Sequence, residues 1–158
     1  MADVFDLPCD GVESYGEEMA SVLVVDDHED VRLALTTLLE FAGHGVCEAA
    51  DGADALDMAM SDPPELILLD IGMKKVDGFE TLMFLKADQQ TRDIPVIMLT
   101  SRGQPEDRLR ARKLGAIDYI NKPWEPGEVE TRVRWALGAA RSADSIGADG
   151  RLLEWREF

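Results

Sequence analysis

Four places in this 158-residue chain carry the side chains from which phosphate and metal chemistry is built: Asp26-Asp27, Asp70, Thr100-Ser101 and Lys122. Carboxylates that share a site repel one another unless a cation neutralises them. Mg2+ suits three such groups, because it takes oxygen ligands and keeps waters that a phosphate can replace. A carboxylate can also attack a phosphoryl group and form an aspartyl phosphate. The charge that develops in that step needs a metal and a fixed cation. Lys122 can be the fixed cation, and the Thr100 hydroxyl can donate to a phosphoryl oxygen.

These residues act together only if the fold brings them together, and each follows a stretch that reads as a strand. Residues 22–25, 66–69 and 96–99 are short, wholly apolar runs, as expected of buried parallel strands. Residues 46–50 alternate and suit a sheet edge, and 117–120 is a fifth strand. Asp26-Asp27 follows the first strand, Asp70 the third, Thr100 the fourth and Lys122 the fifth. Helical texture fills the intervals. Val31, Leu35, Leu38, Leu39 and Ala42 keep helical spacing and are closed by Gly43. Residues 53–60 form a helix capped by Asp51 and stopped by Pro63-Pro64. Residues 79–87, 106–114 and 126–140 complete the set, the last with an apolar stripe of Val129, Val133, Ala136 and Leu137. A βα unit repeated five times predicts an α/β fold, a doubly wound parallel sheet with helices on both faces. In such sheets the ligand crevice lies at the carboxyl ends of the strands, so all these groups are expected to meet there.

Composition narrows the partners. There are 32 acidic and 16 basic residues, a net charge of −16, which opposes direct binding to nucleic acid. Residues 1–20 hold six acids and no base and read as an acidic flexible tail. Residues 21–140 read as one domain, and 141–158 as a linker followed by a short apolar coda of Leu152, Leu153, Trp155 and Phe158. No apolar run has the length a membrane helix needs, and no signal peptide is visible. Cys9 and Cys47 make neither a disulfide framework nor a zinc spacing. A reducing, cytoplasmic location is the expectation.

In combination the motifs resemble the receiver domain of bacterial two-component response regulators, of the single-receiver chemotaxis type. The segments that carry the likeness are Val22-Leu-Val-Val-Asp26-Asp27, Leu66-Ile-Leu-Leu-Asp70-Ile-Gly72-Met73, Asp77-Gly78, Pro95-Val-Ile-Met-Leu-Thr100-Ser101, Gly115-Ala-Ile-Asp-Tyr119-Ile and Lys122-Pro123. The resemblance runs from about Ser21 to Ala140. It implies a flavodoxin-like five-stranded sheet of order 2-1-3-4-5. It implies that Asp70 is the phosphoacceptor, served by a histidine kinase or a phosphotransfer protein. It implies Mg2+ held by Asp27, Asp70 and the Gly72 carbonyl, with Asp26 acting through water. Thr100 and Tyr119 match the family's switch pair. Three positions depart from the usual pattern: Lys74 where proline is common, Ser101 for alanine and Trp124 for phenylalanine. None of them removes a charged site residue.

Rival readings are weighed on the same residues. A metal-dependent phosphatase with an Asp nucleophile would carry Asp-x-Asp, but Gly72 stands at the second position and transfers no proton. The expectation is therefore a switch and not a turnover enzyme. The other alternative is the receiver portion of a truncated multidomain regulator. Gly72 and Arg102, each two residues past a site residue, are expected to set the lifetime of the acyl phosphate. His28 reads as a solvated helix-start residue, since Mg2+ prefers oxygen, and His44 as a loop residue. Output is expected through protein contact with an effector, or between two copies on phosphorylation. The surface would be residues 106–140, where Arg108, Arg110, Arg112 and Lys113 form a basic stripe.

Overall fold

The computed structural model describes residues 19–101 and 103–146. Five strands and five helices alternate: β1 (Ser21–Val25), α1 (Glu29–Phe41), β2 (Gly45–Ala49), α2 (Gly52–Ser61), β3 (Leu66–Asp70), α3 (Gly78–Ala87), β4 (Val96–Thr100), α4 (Pro105–Leu114), β5 (Asp118–Asn121) and α5 (Glu128–Ile146). All strand pairs are parallel and the order is β2-β1-β3-β4-β5. This is the doubly wound, flavodoxin-like sheet that the resemblance implied.

The strands are apolar throughout because both faces are covered. Side chains of a strand alternate between faces. Leu23, Val25, Ile67, Leu69, Val96 and Met98 therefore pack beneath α2, α3 and α4. Val22, Val24, Leu66, Leu68, Ile97 and Leu99 pack with Leu35 and Leu39 of α1 and Val129, Val133 and Ala136 of α5. The edge strand β2 is only partly buried, and Glu48 within it is exposed. Cys47, in the same strand, is disulfide-bonded, which the spacing of two cysteines does not announce. That bond removes the argument from cysteine usage for a reducing compartment. Cys9 lies outside the described residues.

Helix starts follow local chemistry. Asp51 Oδ1 accepts from the Asp54 N–H at 2.8 Å, and Asp77 Oδ1 from the Glu80 N–H at 2.9 Å, each satisfying one orphan donor of a helix N-terminus. α4 begins on Pro105 and ends at Gly115 in the left-handed region, φ 105°. Most boundaries shift by one residue from the sequence reading, and the two ends of α5 shift by more. α5 starts at Glu128 and not at Pro126, because Gly127 has φ 82°, outside helical space. It then runs on to Ile146, into the stretch read as linker, because small residues such as Ala143 do not break a helix. Of the proposed tail 1–20, residues 1–18 lie outside the described residues, as does the coda of Leu152, Leu153, Trp155 and Phe158, but Ala20 is buried in the core and its carbonyl accepts the Gly45 N–H, so the domain begins before Ser21.

Candidate functional site

The carboxyl ends of β1, β3, β4 and β5 form one edge of the molecule, and chain geometry fixes a side chain on each. Asp26 follows β1 directly, and its N–H bonds to Ala49 O of β2 at 3.2 Å. Arg32 of α1 donates from Nη1 to the Asp26 carbonyl at 2.7 Å and from Nε to Glu48 Oε1 at 3.2 Å, holding the β1–α1 turn against the sheet. Nothing in the spacing of Arg32 marks it as a positioning residue. Asp70 closes β3, and Ile71 N–H is held by Leu99 O at 2.9 Å. Gly78 lets α3 approach this turn closely. A Cβ there would lie 2.2 Å from the Asp70 carbonyl oxygen and 2.7 Å from Ile71 Cα, so any other residue must displace backbone. Lys122 follows β5, its N–H donating to Thr100 O at 2.7 Å, and its bond to Pro123 is cis.

These placements bring Asp26, Asp70 and Lys122 into contact. Lys122 Nζ lies 2.5 Å from Asp26 Oδ2 and 3.0 Å from Asp70 Oδ1. Asp26 is fully buried and Asp70 is buried. Burial pushes the Asp70 carboxyl above the usual value of 3.8; Lys122 opposes that, the charge of Asp26 adds to it, and a backbone hydrogen bond of Gly72 opposes it. Burial alone would lower the Lys122 ammonium, but its hydrogen bond to Asp26 and the charge of Asp70 outweigh this and hold it above 10.5. Asp27 is half-buried beside them, and its Oδ1 receives no hydrogen bond. Asp26, Asp27, His28 and Asp70 each present a ligand atom within 4.8 Å of the others. The donor set is dominated by carboxylate oxygen, which fits Mg2+, and Asp27 Oδ1, which no hydrogen bond satisfies although the His28 ring lies 2.9 Å away, is the kind of atom a cation satisfies.

The remaining predicted residues fall around this centre. Thr100 is the buried last residue of β4. Tyr119 is opposite Met98 in the β4–β5 register and Thr100 opposite Asn121, so Thr100 and Tyr119 share a face one step apart. The Tyr119 ring is already inside, packed in the core that includes Phe79 and Ala111. Gly72 sits exposed in the loop after β3, with open space where a Cβ would be. Arg102, assigned with it to lifetime, lies outside the described residues. His28 is exposed at the start of α1, as read, but its ring reaches the acids. His44 lies in the loop between α1 and β2, as read, but is buried there, and its Nδ1 accepts from the Ala20 N–H at 3.1 Å. The basic stripe of α4 is only partly a free surface: Arg108 lies over the Tyr119 ring at 5.8 Å and Arg110 over the Phe79 ring at 4.2 Å.

Comparison with known proteins bears on this edge. Residues 22–134 match the family described as the response regulator receiver domain. The DNA-binding dual master transcriptional regulator RpaA of Synechocystis is 40% identical over 119 residues, covering 75% of this chain and 49% of that protein. The phosphate regulon transcriptional regulatory protein PhoB of Pseudomonas aeruginosa is 36% identical over 137 residues, covering 85% of this chain and 60% of that protein. The chain spans about half the length of the curated relatives it matches. Among solved structures, the chemotaxis protein CheY4 of Vibrio cholerae superimposes with a TM-score of 0.69 at 31% identity, covering 72% of this chain and 94% of that one.

Proposed function

Since this chain belongs to the response regulator receiver domain family of two-component signalling, we propose that Asp70 is its phosphoacceptor. The observation that carries this is the Lys122 ammonium lying between Asp26 and Asp70 at the carboxyl edge of the sheet. An Asp70 carboxylate oxygen attacks the phosphorus of a phosphohistidine on a histidine kinase or phosphotransfer protein. The P–N bond breaks and its electron pair stays on the imidazole. Asp27, Asp70 and the Gly72 carbonyl, with Asp26 acting through water, would hold Mg2+, which would supply charge neutralisation at the phosphoryl oxygens. Lys122 Nζ, already 3.0 Å from Asp70 Oδ1, supplies the fixed positive charge on the other side. Thr100 donates its hydroxyl to a phosphoryl oxygen, and the Tyr119 ring, on the same face, follows that movement. The domain turns over no substrate of its own: it stores the phosphoryl group and changes its contacts. Output runs through residues 106–140 to an effector protein or a second copy. Among the described residues no helix is long and apolar enough to cross a membrane.

A small phosphodonor with Mg2+ should add one phosphate by intact mass, and neither Asp70→Ala nor chelated protein should be modified. Modification of the Ala variant would refute the assignment. One observation favours a second reading alongside the first. The relatives extend well beyond the matched region and are named as transcriptional regulators, so this chain also suits the receiver portion of a DNA-binding regulator. The adjoining reading frame decides it: an effector domain continuous with residue 158 supports that reading, and a stop codon there sinks it.

A further inference from the structure

His28 is the side chain at this edge for which neither the fold nor the phosphoacceptor has a use. It occupies the N-cap of α1, with φ −96° and ψ 116°, yet its side chain makes no capping hydrogen bond. Ser, Thr, Asp and Asn are the residues that cap well. The ring is 68% exposed, so it fills no core. Instead Nδ1 lies 2.9 Å from Asp27 Oδ1 and 3.2 Å from Asp26 Oδ1. Lys122 engages the other Asp26 oxygen, Oδ2. Lysine and imidazole thus divide one carboxylate between them, and the ring faces the oxygen that the lysine leaves. Asp27 Oδ1, the oxygen nearest the ring, is buried and receives no hydrogen bond.

We propose that His28 is a nitrogen ligand of the cation site, so that the site takes a first-row transition divalent ion such as Co2+ more tightly than its carboxylates alone would. The inference rests on the acidic-site reading above and adds a donor to it. With its proton on Nε2, the imidazole presents the Nδ1 lone pair to the space bounded by Asp26 Oδ1 and Asp27 Oδ1. Imidazole suits the later first-row ions, whereas carboxylate and water suit Mg2+. Mg2+ dehydrates reluctantly and favours oxygen, so it draws no benefit from the ring. His28 therefore acts on metal selectivity and leaves Mg2+ binding to the aspartates.

Calorimetric titration of the full chain with Co2+, and separately with Mg2+, tests this in the parent, His28→Ser and Asp27→Asn. Serine keeps a competent N-cap, so α1 starts as before. His28→Ser should lose about tenfold or more in Co2+ affinity, the scale on which ligand support is felt, while Mg2+ affinity holds within about twofold. In the parent, Co2+ should displace the ring proton resonances of His28 and leave those of buried His44 in place. Unchanged Co2+ affinity in His28→Ser would show that the ring only pairs with the acids, and overturns the inference alone. Equal loss of both ions would overturn it as well, since the ring would then be merely structural. If Mg2+ binds neither the parent nor Asp27→Asn, the acidic-site reading falls and takes the inference with it.

Discussion

Two groups of charge are buried against this sheet, and they differ in how completely each is partnered. Near the start of β5, Arg132 donates from Nη1 to Asp118 Oδ1 at 2.7 Å and to the Tyr119 carbonyl at 2.9 Å, and Nη2 lies 3.1 Å from Glu128 Oε2. Asp118 Oδ1 also accepts the Tyr119 N–H at 2.8 Å. Donors and acceptors meet, and the group ties α5 to β5. At the carboxyl edge, the Lys122 ammonium serves both Asp26 and Asp70, while Asp27 has only the exposed His28 ring beside it and its Oδ1 has no hydrogen bond. A network that satisfies itself holds a fold together. One that leaves negative charge over is stable only in proportion to what it later binds.

The contrast breaks most sharply at Arg132. Arg132→Ala leaves Asp118 buried without its cation and should cost about 3–5 kcal/mol in urea unfolding, the scale for breaking a buried pair. A loss under about 1 kcal/mol would mean the pair is no more than a surface bridge.

Lys86 adds a half-buried charge to the comparison. Its ammonium donates to the carbonyls of Arg92 and Ile94 at 2.9 and 2.8 Å, and its stem lies under Gly115. Burial lowers its pKa to about 8 against an ordinary 10.5, while Asp93 pulls the other way. Between those values the unfolded chain binds the proton and the folded chain does not, so stability rises with pH across the window 8 to 10.5. The gain should be on the order of 1–3 kcal/mol and should vanish in Lys86→Met, followed by thermal melts across that range.

At the carboxyl edge the sign reverses. The raised Asp70 pKa means that the folded chain binds the proton more tightly than the unfolded chain. Its contribution is therefore fully present below 3.8 and is lost as pH rises through the raised native value. At neutral pH without metal, Asp70→Asn should be more stable than the parent by about 1 kcal/mol, the low end of what replacing a buried charge yields. A less stable Asn variant would mean that the Lys122 contact outweighs the repulsion.

The smallest effect concerns the loop after β3. Gly72 has room for a side chain, so Gly72→Asn should fold unchanged and shorten the lifetime of the phosphoryl group at Asp70 by a few-fold, of order 1 kcal/mol in barrier. Equal decay of the labelled parent and variant would remove Gly72 from lifetime control.

Much of this was legible in the chain because parallel strands buried on both faces leave a signature that few other elements share. The apolar runs 22–25, 66–69 and 96–99 locate three strands, and the polar residue after each then lies at the sheet's carboxyl edge by topology alone. Asp51 as a cap was legible for a local reason, since a side chain bonds its own helix terminus. The end of α5 was not, because composition between Arg141 and Ile146 tolerates helix or coil and only propagation from the packed turns before it decides.

The order of elements, the two-faced core and the place of Asp26, Asp27, Asp70, Thr100 and Lys122 on one edge follow from the chain alone, because periodicity and strand ends depend on neighbours along it. Which charges touch depends on the closed sheet. Lys122 is 96 residues from Asp26 and 52 from Asp70, so their pairing is set by strand order and not by spacing. The same holds for Arg132 on Asp118, for Arg108 over Tyr119 and for Arg110, which stays exposed while its guanidinium lies over Phe79. It holds also for His28, whose ring reads as solvent-facing until the β1–α1 turn lays it against two carboxylates. Interactions through space fall off within a few ångströms, and a sequence gives no such distances until the sheet is closed.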